Sequence, residues 1–154
     1  MIEVRLQREP FDAGAEAAAL VAGRTDLGAL VSFVGLCRDE GGRLAALELE
    51  HYPGMAEAEI GRIADAAAAR WPVDSIVVVH RFGRIAPGEP IVLVAATSSH
   101  RGAAFAAAEF LMDYLKTDAP FWKKEHPRDG EAGDWVAAAD ADDAARARWA
   151  TRGR

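Results

Sequence analysis

Cysteine is almost absent from this chain of 154 residues, which contains only Cys37. A single thiol excludes an internal disulfide framework and fits a reducing cytosol. Long apolar runs are missing too, since none approaches the roughly 18 residues that a membrane-spanning helix needs. The first residues, Met1 to Arg5, show no signal-peptide pattern. We therefore expect a soluble, cytoplasmic protein that does not associate with a membrane.

The sequence also lacks an excess of positive charge. Its formal net charge is -6 and its pI is near 5.2. A general nucleic-acid binder needs a basic face, so this balance argues against one while allowing a local cationic pocket. The GxGxxG, GxxxxGK and GxSxG motifs are absent. His80 and His126 show no metal-ligand spacing with Cys37, and we predict neither a metal site nor a cofactor.

Lysine is scarce and concentrated in one place. The chain has 18 lysines and arginines, yet its only lysines are Lys116, Lys123 and Lys124. Arginine stays protonated, whereas a desolvated lysine can act as a base or nucleophile, and the apolar residues 120–122 favour desolvation. In an extended segment, Lys123 and Glu125 share one face and Lys124 points to the other. The alternative is a solvated basic turn, with Lys116 at the negative end of a helix dipole.

The order of predicted elements indicates one α+β domain, residues 1–154, with its core over about 2–138 and its helices packed on a mostly antiparallel sheet. Apolar periodicity predicts strands over about 2–6, 28–37, 44–52, 75–82, 90–97 and 134–138, with an extended stretch at 120–125. Helices are predicted over about 13–22, 55–70 and 101–116. Asp12 is expected to cap the first helix, and Ser98 or Ser99 the third. A last helix near 141–150 is expected to be peripheral.

Two further segments place cations where strands end. His100 and Arg101 stand at the start of a predicted helix, where free backbone N–H groups and the helix dipole favour an anion such as phosphate. Arg38 follows the strand at 28–37 and can clamp a phosphate with two hydrogen bonds. Taken singly, an ordinary capped helix and a loop arginine paired with a neighbouring carboxylate explain these segments at least as well. Cys37 lies in an apolar run, and buried thiols are usually inert.

Five motifs follow one another along residues 28–136. They are Phe33-x-Gly35-x-x-Arg38, Leu49-Glu50-His51-Tyr52-Pro53-Gly54-Met55, His80-Arg81-x-Gly83, Ser99-His100-Arg101-x-x-Ala104-Phe105 and Asp113-Tyr114-Leu115-Lys116-Thr117-x-Ala119-Pro120-Phe121-Trp122-Lys123-Lys124-Glu125. In this order and spacing, the chain resembles the MoaE family, the large catalytic subunits of molybdopterin synthase. The loop at 39–43 is short, and family loops vary here.

The resemblance implies a fold, a reaction and partners. The fold is α/β hammerhead-like. A small ubiquitin-like subunit, resembling MoaD, would carry a C-terminal thiocarboxylate and donate its sulfur to cyclic pyranopterin monophosphate. Two transfers would build the dithiolene of molybdopterin. The large subunit would form a homodimer within a heterotetramer. The alternative is a non-catalytic module that binds a ubiquitin-like tail or a phosphorylated small molecule.

The resemblance also implies site residues. Lys116 and Lys123 match the active-site lysines, and we expect Lys116 at the thiocarboxylate carbonyl and Lys123 at the pterin or its leaving oxygen. Because the sulfur comes from the partner, no catalytic cysteine is required. The sequence leaves open whether the site lies in one chain or is shared across a dimer. The expected substrate-binding residues are Leu36, Cys37, Arg38, His100, Arg101, Lys124 and Glu125.

Overall fold

The computed structural model describes residues 1–136 and 147–150. The elements in chain order are β1 (Ile2–Gln7), α1 (Ala13–Val21), β2 (Ala29–Leu36), β3 (Leu44–His51), α2 (Met55–Arg70), β4 (Ser75–Arg81), β5 (Gly83–Ile85), β6 (Pro90–Ser98), α3 (Arg101–Asp118) and β7 (Phe121–Pro127). Single 3-10 turns span Glu40–Gly42 and Arg148–Ala150. The predicted α+β class is confirmed. No helix in the described ranges is long and apolar enough to cross a membrane.

The strands of the described residues form two sheets. One has four strands in the order β1-β4-β6-β2, with β1 parallel to β4 and the other pairs antiparallel. The other has three antiparallel strands in the order β5-β3-β7. The mostly antiparallel pairing agrees with the prediction, whereas the division into two sheets was not predicted.

Both faces of the four-stranded sheet are covered by helices. Alternate residues of a strand point to opposite faces, so Ile76 and Val78 pack against α2 and α3, while Val77 and Val79 pack against the α1 side. Helix α1 starts as expected, because the Asp12 carboxylate accepts a hydrogen bond from the Ala15 N–H at 2.9 Å. Burial of each such aliphatic side chain contributes about 1.5–3 kcal/mol.

The expected peripheral helix at 141–150 is wrong where it can be compared. Trp149 is only 5% exposed and belongs to the main core. Its ring packs edge-on against Trp71 and Phe110, and its indole N–H donates to the Asp113 carboxylate. An aromatic ring of this size gains more from burial than an exposed helix position offers. Residues 141–146 lie outside the described residues.

The strand expected near 134–138 is reduced to a single bridge between Val136 and Lys123. Residues 134 and 135 are not in a strand, and 137–138 lie outside the described part of the chain. The Val136 backbone nevertheless extends the outer edge of β7 at the position where Lys123 stands.

Helix α3 begins at Arg101, close to the prediction, but the expected serine cap is wrong. The capping position belongs to His100, and no side-chain capping bond is found there among the described residues. Ser98 is still part of β6, and its hydroxyl donates to the Pro72 carbonyl at 2.9 Å and accepts from the His100 N–H at 3.2 Å. The serine therefore fastens the end of β6 instead of the first turn of α3.

Candidate active site

A cavity lies where the C-terminal turn of α3, the end of β2 and strand β7 come together. It has two chambers. The apolar chamber, of about 220 Å³, is lined by residues that include Phe33, His80, Met112, Phe121 and Val136. The polar chamber, of about 660 Å³, is lined by residues that include Cys37, Arg38, Arg43, Glu125 and Glu131. Both chambers share five lining residues: Leu36, Leu47, Ile91, Lys116 and Lys123.

Lys116 reaches the cavity from the last turn of α3. Residues four apart on a helix lie on one face, so Lys116 follows Met112, which also lines the apolar chamber. Leu115 is buried and fixes which side of the helix faces the core. A cation here also interacts favourably with the helix dipole. The placement therefore has a structural benefit, and it also brings an amine to both chambers.

Lys123 reaches the same cavity from β7. In the ladder with β3, Lys123 lies opposite Leu49 and Glu125 lies opposite Leu47. The Lys123 backbone also exchanges two hydrogen bonds with Val136, at 2.9 and 2.8 Å. Because the strand is paired on both edges at this residue, the direction of the Lys123 side chain is defined by the sheet.

Lys124 lies on the opposite face of β7, as strand alternation predicts. It is opposite Glu48 in the ladder, and its Nζ lies 4.8 Å from the centre of the Trp135 ring. This residue lines neither chamber. The structure therefore does not bring Lys124 together with the other expected substrate-binding residues.

The end of β2 is shaped by a glycine. A Cβ at Gly35 would lie 2.8 Å from a methyl carbon of Val92, so only glycine allows this close approach. The ladder with β6 shifts register between Gly35 and Leu36, an irregularity that is common beside active sites. It delivers Leu36, Cys37 and Arg38 to the polar chamber.

Cys37 lines the polar chamber without the properties of a nucleophile. Its side chain is 2% exposed, and its Sγ lies 3.9 Å from the Ile85 carbonyl oxygen. Burial raises the pKa of the Cys37 thiol above its usual range, and nearby carboxylates add to the effect. The thiolate is thus disfavoured, which fits the expectation that the sulfur comes from elsewhere.

His80 contributes a neutral imidazole to the apolar chamber. Its ring stacks on Phe121 with centroids 4.0 Å apart, and its Nδ1 lies 2.8 Å from the Arg81 carbonyl oxygen. A carbonyl only accepts, so Nδ1 carries the proton and Nε2 keeps its lone pair. Burial lowers the pKa of His80 to about 4, with a further contribution from the nearby Lys116.

His100 and Arg101 do not reach this cavity from the same chain. His100 caps α3 and Arg101 is its first residue, fifteen residues before Lys116, which corresponds to about 22 Å along a helix axis. Neither residue lines a chamber in the described structure. The expected phosphate cradle of Arg38, His100 and Arg101 is therefore not assembled within one chain.

The two cavity lysines are more hydrated than expected. Both Lys116 and Lys123 are exposed, because the chambers open to solvent on the side that no described segment covers. The polar chamber carries four cations, Arg38, Arg43, Lys116 and Lys123, against the two carboxylates Glu125 and Glu131. This formal excess of two positive charges suits an anionic ligand. Among the described residues, no cluster of three or more histidine, cysteine or acidic side chains is arranged to hold a metal.

Comparison with known proteins identifies the family to which this fold belongs. A family described as MoaE protein matches residues 6–118. The chain belongs to the MoaE family. The molybdopterin synthase catalytic subunit of Mesorhizobium japonicum is 66% identical to it, over 95% of this chain and 92% of that protein.

Solved MoaE structures have the same fold. The molybdopterin biosynthesis MoaE protein from Burkholderia ambifaria superposes with a TM-score of 0.84 at 53% identity, covering 97% of this chain and 99% of that one. A complex of subunits 1 and 2 of the molybdopterin-converting factor from Helicobacter pylori shares the fold at 19% identity, with a TM-score of 0.69 over 90% of each chain. The family, the fold class and the assignment to molybdopterin synthase are therefore confirmed.

The MoaE cavity also contains residues that the sequence did not single out. His80 appeared in a family motif and was rejected as a metal ligand, but it was given no role in the site. Its place in β4, in alternation with Ile76 and Val78, put it on the same side of the sheet as α3. Arg43 was counted as part of a polar loop. No local pattern marks Arg43, because its position in the cavity depends on how β3 pairs with β7.

Proposed function

We propose that this cavity transfers sulfur from the C-terminal thiocarboxylate of a small ubiquitin-like protein to cyclic pyranopterin monophosphate. The extended tail of the small protein would enter the apolar chamber, and the phosphorylated pterin would occupy the polar chamber. The observation that carries this proposal is that Lys116 and Lys123 line both chambers, where the two reactants would meet. The single buried cysteine fits a cytoplasmic location.

The chemistry needs cations more than it needs a protein nucleophile. The thiocarboxylate sulfur attacks a carbon of the pterin side chain, and the bond from that carbon to an oxygen breaks as the carbon–sulfur bond forms. The product is a thioester between the tail and the pterin. Hydrolysis then releases the tail as a carboxylate and leaves sulfur on the pterin. The Lys116 ammonium donates a hydrogen bond to the thioester carbonyl as negative charge develops there. Lys123 donates to the oxygen that leaves the pterin, and Glu125 beside it exchanges protons.

A second copy of the chain supplies His100 and Arg101 in this proposal. The distance along α3 prevents one chain from contributing both ends of the helix to one cavity. The edge of β2 and the first turns of α3 expose large apolar side chains, with Leu30, Phe33 and Phe105 at 37%, 42% and 61% exposure. An unpaired strand edge with exposed apolar side chains is typical of an interface. A dimer through this surface supports a phosphate site shared by two protomers.

Partner binding also accounts for the hydrated lysines. In the chain alone the chambers are open, so Lys116 and Lys123 remain in contact with water. A tail in the apolar chamber and a second protomer over the polar chamber would remove that water and strengthen each charge–charge contact. In this proposal the catalytic environment is complete only in the assembled heterotetramer.

A non-catalytic binding module is the alternative. A module that only binds an anion can use arginine, which binds phosphate through two parallel hydrogen bonds. This chain has arginine at all but three of its lysine and arginine positions. The presence of both cavity amines at the junction of the chambers favours the enzyme.

The test is reconstitution with a thiocarboxylated small subunit and the cyclic phosphate. We expect dithiolene product with the wild type and a loss of at least roughly 100-fold with Lys116→Ala, the size of effect when one oxyanion donor is removed. Lys116→Arg keeps the charge but changes its geometry and acidity, so we also expect a severe loss. Binding of both reactants without product, or turnover unchanged in Lys116→Ala, would reject the assignment.

A further inference from the structure

The short loop between β2 and β3 fixes the backbone of an arginine beside the polar chamber. Gly41 and Gly42 both have left-handed backbone conformations, with φ of 72° and 69°, which favour glycine. The Arg43 carbonyl accepts a hydrogen bond from the Arg128 N–H at 2.7 Å. On the other side, the N–H of Leu44 donates to the Asp39 carboxylate at 2.9 Å. The backbone on both sides of the Arg43 side chain is therefore held before any ligand arrives.

One of the two carboxylates of the loop, that of Asp39, is engaged by other groups. Asp39 accepts from the Leu44 N–H, and its other oxygen lies 3.6 Å from the guanidinium of Arg128. Arg43 lines the polar chamber and is exposed. Apart from the Glu40 side chain, which lies outside the described part of the structure, no described group forms an ion pair or hydrogen bond with its guanidinium. An arginine on a fixed backbone, with its guanidinium in a cationic cavity, is pre-organised for an anion.

We propose that Arg43 is a specificity-determining residue that binds the phosphate of the pterin substrate from the β2–β3 loop. The proposal rests on the proposed function for the identity of the ligand. A guanidinium donates two parallel hydrogen bonds to phosphate oxygens, and Arg43 approaches the polar chamber from the loop side, together with Arg38. The phosphate is then held within one chain before a second protomer adds its own donors. Arg43 touches no reacting atom in this arrangement, so it changes binding and leaves the chemical step alone.

The first experiment measures equilibrium binding of the cyclic phosphate to the full chain without the small subunit, by calorimetry. We compare the wild type with Arg43→Ala, Arg43→Lys and Arg84→Ala. Arg84 is an exposed arginine on β5 that lines neither chamber, so it controls for the loss of one positive charge. A charge-assisted hydrogen bond lost to alanine corresponds to roughly a 10- to 100-fold rise in Kd. The Kd of Arg43→Lys should lie between those of the wild type and Arg43→Ala, because lysine keeps the charge but cannot donate two parallel hydrogen bonds.

A second ligand separates the phosphate from the ring. The same pterin without its phosphate should bind the wild type and Arg43→Ala with equal affinity. Equal weakening of both ligands would show a contact to the ring and overturn the proposal, as would an Arg43→Ala Kd equal to that of the wild type. Arg43 is exposed, and unchanged melting temperatures in the variants would exclude an effect through folding.

Turnover distinguishes this inference from the function on which it rests. In the reconstituted synthase, Arg43→Ala should raise KM for the cyclic phosphate by the same factor as Kd and change kcat less than about 2-fold. If the wild type binds the phosphate but forms no dithiolene, the proposed function fails while the Arg43 comparison stands. If the wild type turns over and Arg43→Ala has an unchanged KM, the role of Arg43 fails alone.

Discussion

At the residue scale, Lys123 and Lys124 are neighbours in sequence with opposite surroundings. Lys123 lines both chambers, and Lys124 lies over the Trp135 ring on the other face of β7. We expect Lys123→Ala to lower dithiolene formation by about 100-fold or more. Lys124→Ala should stay within about 3-fold of the wild type, since a partly exposed cation–π contact contributes only about 0.5–1 kcal/mol to stability. Equal losses of activity in the two variants would contradict the assignment of Lys123 to the cavity and Lys124 to the opposite face of β7.

His80 makes the stability of the fold depend on pH. Its native pKa of about 4 lies below the ordinary value of 6.5 because the ring is buried. Between these two values the unfolded chain binds more protons than the native chain, so the free energy of unfolding falls as the pH is lowered. The full difference between the two pKa values corresponds to a loss of about 3 kcal/mol in the free energy of unfolding.

The control for this prediction is His80→Phe, which keeps an aromatic ring against Phe121 and removes the titratable group. We compare the free energy of unfolding of the wild type with that of His80→Phe at each pH. The wild-type value minus the variant value should fall by about 3 kcal/mol between pH 7.5 and pH 4. Urea denaturation across this range measures it. A difference between the two proteins that does not change with pH would show that His80 titrates normally in the folded chain.

Single residues were predictable from sequence where strand alternation alone decides their direction. The opposite faces of Lys123 and Lys124 follow from the period of two in an extended segment. The predicted helix over 101–116 already placed residues 100–101 and Lys116 at opposite ends, but the expected phosphate cradle came from family motifs, which list residues without distances. It also did not show Arg43 in the cavity, because a loop arginine reaches a site only through the pairing of strands far apart in the chain.

At the scale of elements, the long helices and apolar strands were predictable because each has a strong local period. Strand β5 was missed because its three residues, Gly83–Ile85, are separated from β4 by Phe82 alone and are too few to show periodicity. The split into two sheets was missed because tertiary packing, and not the local sequence, decides which strands pair. Trp149 was misjudged because its partners are remote in sequence: Trp71 at the end of α2 and Phe110 in the middle of α3.

The junction between β2 and α3 gives an element-scale prediction. A Cβ on Gly28 would lie 2.0 Å from the Ser99 carbonyl oxygen, a backbone atom that cannot move aside cheaply. We expect Gly28→Ala to destabilise the protein by about 1–3 kcal/mol and to weaken phosphate binding by displacing the start of α3. Chemical denaturation measures the first effect.

Gly61→Ala is the matched control for this junction. Gly61 lies inside α2, and a Cβ there meets no heavy atom within 4 Å among the described residues. Replacing a helical glycine by alanine at an open position stabilises by about 0.5–1 kcal/mol. A Gly28→Ala protein as stable as the wild type would show that the two elements are not in such close contact.

At the scale of the whole molecule, the proposed site requires two protomers. Each chain provides a lysine pair at one end of α3 and a histidine–arginine pair at the other. A two-fold dimer repeats one contact twice, so it forms two equivalent sites, each from both chains. In the proposed function, the cavity lysines and the anion donors at 100–101 form a complete site only with the second copy.

Complementation between inactive variants tests this central claim most directly. Dimers of Lys116→Ala and of Arg101→Ala are each expected to turn over poorly. When the two proteins are refolded together, half of the dimers are mixed, and each mixed dimer has one site with both residues intact, so we expect recovery to about a quarter of wild-type turnover. The control pair, Lys116→Ala with Lys123→Ala, restores no site and should stay inactive. Recovery in the first mixture alone is the predicted result, and no recovery in it would contradict a site shared between two chains.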